Sequence, residues 1–380
     1  METFVTSTKT TASLRRYDLD WLRVIAFTLL IFFHTALFFS HWEWFLKNNV
    51  VSYSLNYPLV FLIQWRMPLL FIISGAGVYW SLGKRSVETF IKDRTRRILL
   101  PLFFGMLVII PPQIYLERIS GGQTYSYVEF YSTLFSSGFY PEGNLGWHHL
   151  WYLGYLFVYS LVALPFCLAL RTPDGKRLTA QWAVLFEKPI WFIGLPIAWL
   201  LLGEFLNLPE NERGLINDWK THYRYFTLFS FGYVFCSQPL FWRTFSRYRL
   251  LTLGMASTMT VVLLLVYWRN WHEFTELEIL VFTVLRVANY WCWLLAICGF
   301  GYKYLNFNNA FLQYASGAVY PFYILHQTLI IILGYYLAPV DWPWQVKFVL
   351  LIAGTFGGCF LLYHFLIRPF RLIRPLFGVR

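Results

Sequence analysis

Apolar runs of about twenty residues recur along this 380-residue chain. A helix of that length crosses the ~30 Å hydrocarbon layer of a membrane, because each residue advances the helix by about 1.5 Å. Only 13% of the residues are charged, compared with about 25% in a soluble domain. The sequence therefore predicts an all-α integral membrane protein with about ten transmembrane helices. The expected spans are 20–40, 58–80, 99–116, 149–170, 189–206, 223–242, 250–268, 278–300, 315–337 and 346–366.

Lys and Arg are concentrated in alternate loops, and the opposite loops are richer in acidic residues. Cytoplasmic loops carry an excess of positive charge, so we expect both termini to be cytoplasmic, which an even number of spans also requires. The predicted organisation is a cytoplasmic segment 1–19, a single transmembrane domain 20–366 and a basic cytoplasmic tail 367–380.

Composition excludes several classes of function. The net charge of +12 is distributed in short clusters between apolar runs rather than along one surface, which argues against nucleic-acid binding. The five cysteines contain no CxxC pair, so neither a disulfide framework nor a zinc site is predicted. The polar N-terminus is followed by a run long enough to span, which does not resemble a cleavable signal peptide.

The first predicted span carries three ionisable residues, Asp20, Arg23 and His34. Asp20 and Arg23 are three residues apart and can pair on one helix face. His34 follows Arg23 by eleven residues, about three turns, and returns to nearly the same face. Ionisable groups inside a membrane are costly and often functional. An internal ion pair with a packed histidine is the alternative interpretation.

The second predicted span contains Arg66 several residues inside its outer end. A guanidinium at that depth requires a partner or a cavity. Ser74, Gly75 and Gly77 allow a neighbouring helix to approach closely. Ser74 lacks the GxSxG context of a nucleophilic serine, so a packing role is favoured for it.

The loop after the second span is dense in arginine. Arg94 and Arg97 are three residues apart and can present two planar forks to one phosphate group. Arg96 adds a third positive charge. Topology selection and attraction to anionic lipid explain the same charges equally well.

Other polar and aromatic residues lie within or at the ends of predicted spans. For each of them a packing or interfacial role stands beside a functional one, and two adjacent histidines are too few to predict a zinc site. These residues are His149 and Trp151 in the fourth span, Arg286 and Asn289 in the eighth, and Tyr320 and His326 in the ninth.

In five segments, taken in order, the sequence resembles acyltransferase family 3 of integral membrane proteins, which includes polysaccharide O-acetyltransferases and glucan succinyltransferases. The resemblance covers most of the chain, and its strength lies in the order of the segments rather than in any one of them. The segments are Leu19-Asp20-Trp-Leu-Arg23 with His34, Arg66-Met-Pro-Leu-Leu-Phe-Ile-Ile-Ser74-Gly75, Arg94-x-x-Arg97-Ile-x-x-Pro101, His149-Leu-Trp151 and Tyr320-Pro-Phe-Tyr-Ile-Leu-His326.

The resemblance implies an acyltransferase of the bacterial cytoplasmic membrane. The family's essential arginine and histidine correspond to Arg23 and His34, and its cytoplasmic RxxR motif to Arg94 and Arg97. Many relatives carry an additional hydrolase-like domain outside the membrane. None is evident in this sequence, so a relay would require a separate periplasmic partner.

The resulting hypothesis is esterification of a glycan hydroxyl by cytoplasmic acyl-CoA, a co-substrate rather than a permanently bound cofactor. His34 would act as general base, and Arg66 or His326 would stabilise the oxyanion. Direct transfer and an acyl-histidine intermediate both stay open. The main rival is a transporter or flippase of a lipid-linked or anionic solute. A membrane sensor or scaffold is a third possibility.

Overall fold

The computed structural model describes residues 15–211, 213–268 and 274–379. Across these residues the ordered backbone is helical, apart from an isolated bridge between Phe139 and Leu145. The predicted all-α class is confirmed for this part of the chain. The predicted end segments 1–19 and 367–380 lie only partly within it, because residues 1–14 and 380 fall outside the described residues.

The helices of the described chain are labelled here in order. They are α1 (Tyr17–Phe39), α2 (Asn56–Leu82), α3 (Val87–Ser120), α4 (Tyr127–Ser132), α5 (Trp151–Val162), α6 (Leu164–Ala169), α7 (Pro173–Leu185), α8 (Ile190–Phe205), α9 (Trp219–Ser237), α10 (Pro239–Trp268), α11 (Glu276–Tyr304), α12 (Ala310–Leu337) and α13 (Trp344–Ile367). Short 3₁₀ turns precede α2 and α5 and lie near the C-terminus, at Tyr53–Leu55, His148–Leu150 and Arg374–Phe377.

Among the described residues, seven helices are long and apolar enough to cross a membrane: α1, α2, α3, α10, α11, α12 and α13. Helices α7 and α8 meet at an angle of 111° and form an eighth if they are counted as one broken span. The predicted fourth and sixth spans coincide with shorter or more polar helices. There α5 ends at Val162, and α9 carries Lys220 and Arg224 in its first two turns. The count of ten and the cytoplasmic location of both termini stay predictions.

The first helix lies in the interior of the bundle, where it packs against α2, α12 and α13. Its buried residues include Leu30, Ile31 and Phe38, which pack among apolar side chains of neighbouring helices. Its exposed large side chains are Ile25 and Phe32, whereas His34 is in contact with another helix. This position brings the polar residues of α1 towards those of α2 and α12.

Helices α2 and α9 cross in direct backbone contact. A Cβ atom on Gly75 would lie 1.8 Å from the carbonyl oxygen of Phe229, and one on Gly232 would lie 1.9 Å from that of Ile72. Neither position has room for a side chain. The close approach predicted for Gly75 is therefore present, whereas Gly77 has no atom within 4 Å of the corresponding position.

The described C-terminal end folds back onto the bundle. Phe377 is buried and its ring lies 5.3 Å from that of Phe104 in α3. Gly378 has a positive φ of 66°, and a Cβ atom there would lie 2.1 Å from the Tyr320 ring. The end of the chain is thereby held beside α3 and the middle of α12.

Candidate active site

Two histidines from distant parts of the sequence are in direct contact in the bundle interior. Nδ1 of His34 in α1 lies 2.8 Å from Nε2 of His326 in α12, and 292 positions separate the two residues. Their rings are nearly parallel, at 6°, with centroids 5.0 Å apart. The structure thus joins the two histidines that the sequence placed in separate spans.

The partners of His326 define which nitrogens carry protons. Its Nδ1 lies 2.7 Å from the carbonyl oxygen of Tyr323, which can only accept a hydrogen bond. Nδ1 of His326 is therefore protonated, and in the neutral ring Nε2 is an acceptor. His34 must then donate from Nδ1, which leaves a lone pair on its own Nε2. The described residues supply no hydrogen-bond partner for this Nε2 atom.

A third histidine completes the cluster. His149 lies with its ring centroid 5.1 Å from that of His326, at 84°. Its Nε2 donates to the carbonyl oxygen of Ile324 at 3.0 Å, and its own carbonyl accepts from the Tyr323 hydroxyl at 2.6 Å. These two bonds tie the start of α5 to the helix that carries His326. Pro321 also lies within α12, the helix that carries His326.

Arg66 lies beside this cluster with unused hydrogen-bond donors. It is only 3% exposed, and its guanidinium carbon lies 3.9 Å from the centre of the Phe33 ring. Its buried Nε and Nη1 atoms have no hydrogen-bond partner within the described residues. A buried guanidinium with free N–H groups is poised to bind an anion or a developing negative charge.

These groups line a cavity of about 780 Å³, termed here the histidine cavity. It extends from the histidines to the end of the bundle where α1 ends and α2 begins. Its inner wall is formed by His34, Arg66, His149, Tyr152, Tyr323 and Gln327, and its aromatic rim by Trp42, Trp44, Phe45, Tyr140, Trp151 and Tyr225. Charged groups at the rim are Glu43, Lys47, Glu117, Glu210, Arg213 and Arg224.

Burial lowers the pKa of two loop residues at this rim, Lys47 and His148. Burial lowers the pKa of Lys47 to about 8, and its ammonium group donates to the carbonyls of Leu37 and Trp42, both at 2.6 Å. His148 stacks on Phe45, with ring centroids 4.4 Å apart. Burial, aided by the positive charge of neighbouring groups, lowers the pKa of His148 to about 3. His148 is therefore neutral at physiological pH.

A loop at the rim is fastened by Asp218, which is fully buried. Its carboxylate accepts from the backbone N–H of Asn211 at 3.3 Å and of Arg213 at 3.2 Å, and from the Tyr155 hydroxyl. Arg213, Leu215 and Asn217 in this loop have positive φ angles of 68°, 62° and 60°. Non-glycine residues adopt that conformation only where surrounding contacts impose it. The sequence did not predict these hydrogen bonds of Asp218, because a single aspartate in a loop belongs to no residue spacing that would indicate its partners.

Tyr152 and Ser74 close the inner end of the histidine cavity. The Tyr152 hydroxyl lies 2.5 Å from Oγ of Ser74. The guanidinium groups of Arg23 and Arg94 lie within electrostatic range of the same hydroxyl. Ser74 is thus bonded to a phenol rather than to a histidine, in keeping with its expected packing role. Tyr152 separates the cavity from the arginines near the opposite end of the bundle.

The arginines predicted to bind phosphate lie near the start of α3. Arg94 stacks on Phe90, with its guanidinium carbon 4.9 Å from the ring centre, and lies within electrostatic range of Tyr152, Tyr320 and Arg97. Arg96 is exposed. The Tyr320 hydroxyl donates to the carbonyl of Arg97 at 3.0 Å.

The first turns of α1 contain two carboxylates with arginine partners. Arg23 pairs with Asp20 at 3.3 Å, and Arg15 reaches the same carboxylate at 2.8 Å. Sequence analysis did not single out Asp18, which is fully buried and paired with Arg16 at 2.5 Å. Arg23 therefore belongs to the end of the bundle that carries Arg94, not to the histidine cavity.

Two of the residues predicted from the eighth span lie outside the histidine cavity. Arg286 bonds Glu204 of α8 at 2.9 Å. Asn289 donates to the carbonyl of Ala256 at 2.8 Å and to Oγ1 of Thr260 at 2.9 Å, which joins α11 to α10. Asn289 thus has a packing role.

An amide network behind the histidines was missed by the sequence analysis. Gln113 in α3 donates to Oγ1 of Thr328 at 2.7 Å and accepts from Nε2 of Gln327 at 3.0 Å. Thr328 in turn donates to the carbonyl of Ile109 at 2.8 Å. All three side chains are buried. A polar amide within an apolar run was the available signal, but the sequence does not show that Gln113 and Gln327 meet.

Metal binding was considered for the same region. Over the described ranges, no group of three or more His, Cys, Asp or Glu side chains is arranged to hold a metal ion. The five cysteines are buried and free.

Comparison with known proteins gives a consistent family assignment. A family model described as an acyltransferase domain matches residues 16–364. The chain is 23% identical over 369 residues to "Glucans biosynthesis protein C" of Shigella dysenteriae serotype 1 (strain Sd197), covering 93% of this chain and 92% of the relative. The proteins of the same name from Escherichia coli strains K12 / DH10B and SMS-3-5 / SECEC match with the same identity and coverage. No solved structure matches the chain.

Proposed function

Since the chain belongs to the acyltransferase family whose domain it matches over residues 16–364, we propose that it moves an acetyl or succinyl group from cytoplasmic acyl-CoA to a hydroxyl of an envelope glycan. That it is an acyltransferase with membrane-spanning helices follows from the family and from its long apolar helices. The donor, the acceptor, the catalytic base and a location in the bacterial inner membrane are the proposal.

The observation that carries this proposal is the unpartnered Nε2 atom of His34. Its Nδ1–H is used by His326, whose own Nδ1–H is used by a backbone carbonyl. These hydrogen bonds hold His34, which lines the histidine cavity, in the tautomer whose remaining lone pair is on Nε2. A general base requires such a nitrogen within reach of the proton it removes.

In the proposed reaction, the acceptor oxygen attacks the thioester carbonyl carbon as its proton passes to Nε2 of His34. The new C–O bond forms, and the C–S bond breaks. The departing thiolate of coenzyme A then takes the proton from the His34 imidazolium, which restores the neutral base. His326 keeps the ring oriented throughout by accepting from Nδ1–H.

Arg66 is the proposed oxyanion donor. Negative charge develops on the thioester oxygen during attack, and preorganised N–H donors in a site of low dielectric stabilise it strongly. Arg66 retains unpartnered donors beside the cavity. Nε2 of His326 is already an acceptor for His34, so His326 is a positioning residue rather than an oxyanion donor.

We place the donor at the end of the bundle that carries the basic clusters. Arg94, Arg96 and Arg97 would hold the phosphates of acyl-CoA, with Arg23, positioned by Asp20, nearby. The pantetheine arm would then extend past Tyr152 towards His34. The Tyr152–Ser74 hydrogen bond must open for the thioester to enter the histidine cavity.

The acceptor would enter from the opposite end through the aromatic rim. Stacking surfaces such as Trp42, Trp44 and Trp151, with carboxylates from Glu43 and Glu117, suit the apolar faces and the hydroxyl groups of a sugar. The matched relatives are named for glucan biosynthesis, which supports a glucan or a related glycan as acceptor. A separate periplasmic partner would deliver or further process it.

The testing experiment measures transfer of label from acetyl-CoA and succinyl-CoA into base-labile esters of a glycan panel. Membranes containing the wild type are compared with matched membranes containing His34→Ala. We expect transfer to fall about 10²- to 10⁴-fold, the range for loss of a general base. A matched control is His364→Ala, because His364 lies in α13 against Tyr314 and Phe360, away from the cavity.

Equal transfer by the wild type and His34→Ala would exclude His34 as the base. Absence of transfer from every thioester, with thioester-independent uptake of an anionic solute, would instead establish the transporter alternative. Label that stays on the protein when acceptor is omitted, and disappears in His34→Ala, would identify an acyl-histidine intermediate rather than direct transfer.

A further inference from the structure

A second cavity of about 830 Å³ adjoins the histidine cavity and has no role in the proposed reaction. It lies between α2, α9, the end of α10 and α11 and is termed here the lateral cavity. The two cavities share Trp42, Ile63, Arg224 and Tyr225 as common wall. A molecule in the lateral cavity would therefore contact side chains that also line the histidine cavity.

The charged wall of the lateral cavity consists of Arg224 and Arg286, which both pair with Glu204, a residue outside the lining whose side chain is only 6% exposed. The Glu204 carboxylate lies 2.5 Å from Arg224, 2.9 Å from Arg286 and 3.7 Å from Lys220. Lys220 also reaches Glu210 at 3.2 Å. Among the described residues, these three cations and two carboxylates leave one positive charge uncompensated.

Three hydrogen-bond donors around this wall have no partner in the described part of the chain. They are Nε of Arg224, Nε of Arg286 and the hydroxyl of Tyr290. All three residues line the lateral cavity, and Tyr290 is only 5% exposed. A net positive charge with several buried donors is the chemistry that recognises a phosphate group.

Two residues of the charged cluster lie close to helix ends, where lipid phosphates are expected. Glu204 lies in the last turn of α8, and Arg224 lies in the second turn of α9. Both are at the end of the bundle where the histidine cavity opens. Lipid headgroups lie just beyond the ~30 Å hydrocarbon layer, which is the depth of helix ends.

Apart from Asn56 and Gln64, the remaining wall is largely apolar, and it continues to the exposed surface of the bundle. Ile63 and Tyr57 of α2 and Ile279 of α11 line the lateral cavity and are 43%, 46% and 53% exposed. Phe61 and Trp293 join the two helices further along the bundle, with ring centroids 5.1 Å apart. The cavity is thus a cleft between α2 and α11 with an apolar surface leading to a basic wall.

We propose that the lateral cavity binds an anionic phospholipid, with its phosphate against Arg224 and Arg286 and its acyl chains along the cleft between α2 and α11. Basic pockets between membrane helices bind anionic headgroups in this way. Because Arg224 and Tyr225 also line the histidine cavity, the bound lipid supports the wall against which the acceptor lies. This inference concerns lipid binding and does not depend on the acyl-transfer proposal.

The test uses the purified full chain in nanodiscs containing phosphatidylglycerol or phosphatidylcholine, with bound lipid counted by native mass spectrometry. The wild type is expected to retain phosphatidylglycerol over phosphatidylcholine. Arg286→Ala should bind phosphatidylglycerol about tenfold more weakly, because one charge-assisted hydrogen bond is lost. Arg177→Ala is the matched control, since Arg177 is exposed in α7.

Tyr290→Phe provides a second variant that keeps the ring and every charge in place. It should weaken retention of phosphatidylglycerol by a few-fold without changing the folded fraction. Inorganic phosphate is added in a separate arm. It should fail to displace the lipid at millimolar concentration, since it lacks the chains that follow the cleft.

Equal retention of both lipids, or equal binding by the wild type and a folded Arg286→Ala, would overturn the proposal. Displacement by inorganic phosphate alone would identify a free-anion site and would also overturn it. Loss of acyl transfer in His34→Ala with unchanged lipid retention would separate this site from the catalytic one. Specific retention in a protein without transfer activity would sustain this inference while the proposed function failed.

Discussion

Two polar clusters lie within this bundle, and they differ in what they leave unused. The cluster around Glu204 joins one carboxylate to three cations, so its main effect is to hold α8, α9 and α11 together. The cluster around His34 contains no carboxylate partner, and its hydrogen bonds run from ring to ring to backbone. Among the described residues it leaves two basic nitrogens without a partner, Nε2 of His34 and Nδ1 of His149. Basic nitrogens without a partner, in contrast to the unpartnered donors near Glu204, distinguish the candidate active site.

The two clusters should differ in their effect on kcat, and removal of the Arg66 guanidinium should show this effect strongly. Arg66→Ala should lower kcat about 10²- to 10³-fold, the effect of deleting one oxyanion donor. Steady-state transfer kinetics would measure the effect, with KM for the acceptor changing less than kcat. Arg66→Lys should recover part of the rate, because it retains a positive charge without the planar fork. A kcat for Arg66→Ala within about threefold of the wild type would contradict this role.

Removing the carboxylate of Glu204 should instead lower the stability of the protein more than its kcat. Glu204→Gln leaves Arg224, Arg286 and Lys220 without their common carboxylate, and breaking such a buried pairing costs about 3 kcal/mol. The lower end of the usual range applies because the cations are partly exposed, at 22%, 31% and 27%. Thermal unfolding in detergent would measure the loss, with the exposed Glu187→Gln as control.

The distinction between the two clusters depends on whether Glu204→Gln lowers mainly stability or mainly kcat. A larger loss of stability than of kcat supports a structural cluster. A loss of kcat at unchanged melting temperature would place Glu204 in the chemistry and remove the distinction drawn between the two clusters.

The sequence identified His34, Arg66 and His326 of one cluster and only Arg286 of the other, and it could not separate the two clusters. His34, Arg66, His326 and Arg286 were all selected because ionisable groups are costly in lipid. That criterion does not reveal partners. The contact between His34 and His326 joins residues 292 positions apart, and the pairing of Arg286 with Glu204 spans 82 positions. Only the tertiary arrangement shows which group retains a free atom.

The helical class and most spans followed from hydrophobic length, because a run of about twenty apolar residues has few alternatives in a membrane. The broken span was not predicted. The apolar run 189–206 covers only α8, whereas α7, which meets α8 at 111°, begins with the polar sequence Pro173-Asp-Gly-Lys-Arg177. The signal for Gln113 was weaker still, since an uncharged amide in an apolar run resembles ordinary packing.

The crossing of α2 and α9 connects the two clusters, because α2 carries Arg66 and α9 carries Arg224. Gly75→Ala would place a methyl group 1.8 Å from the Phe229 carbonyl oxygen. The helices must separate to admit it, at a cost of about 2 kcal/mol, within the range for overpacking. Gly77→Ala is the matched control, since no atom lies within 4 Å of the added carbon. Thermal unfolding of the two variants would measure the difference.

Acyl transfer by the folded fraction of Gly75→Ala would distinguish the two clusters further. Separation of α2 from α9 should move Arg66 relative to His34 while the ion pairs of Glu204 to α9 and α11 persist. We therefore expect kcat to fall with little change in phospholipid retention. Equal melting temperatures for Gly75→Ala and Gly77→Ala would show that the crossing is not rigid. Loss of lipid retention with full transfer would show that it holds the lateral cavity alone.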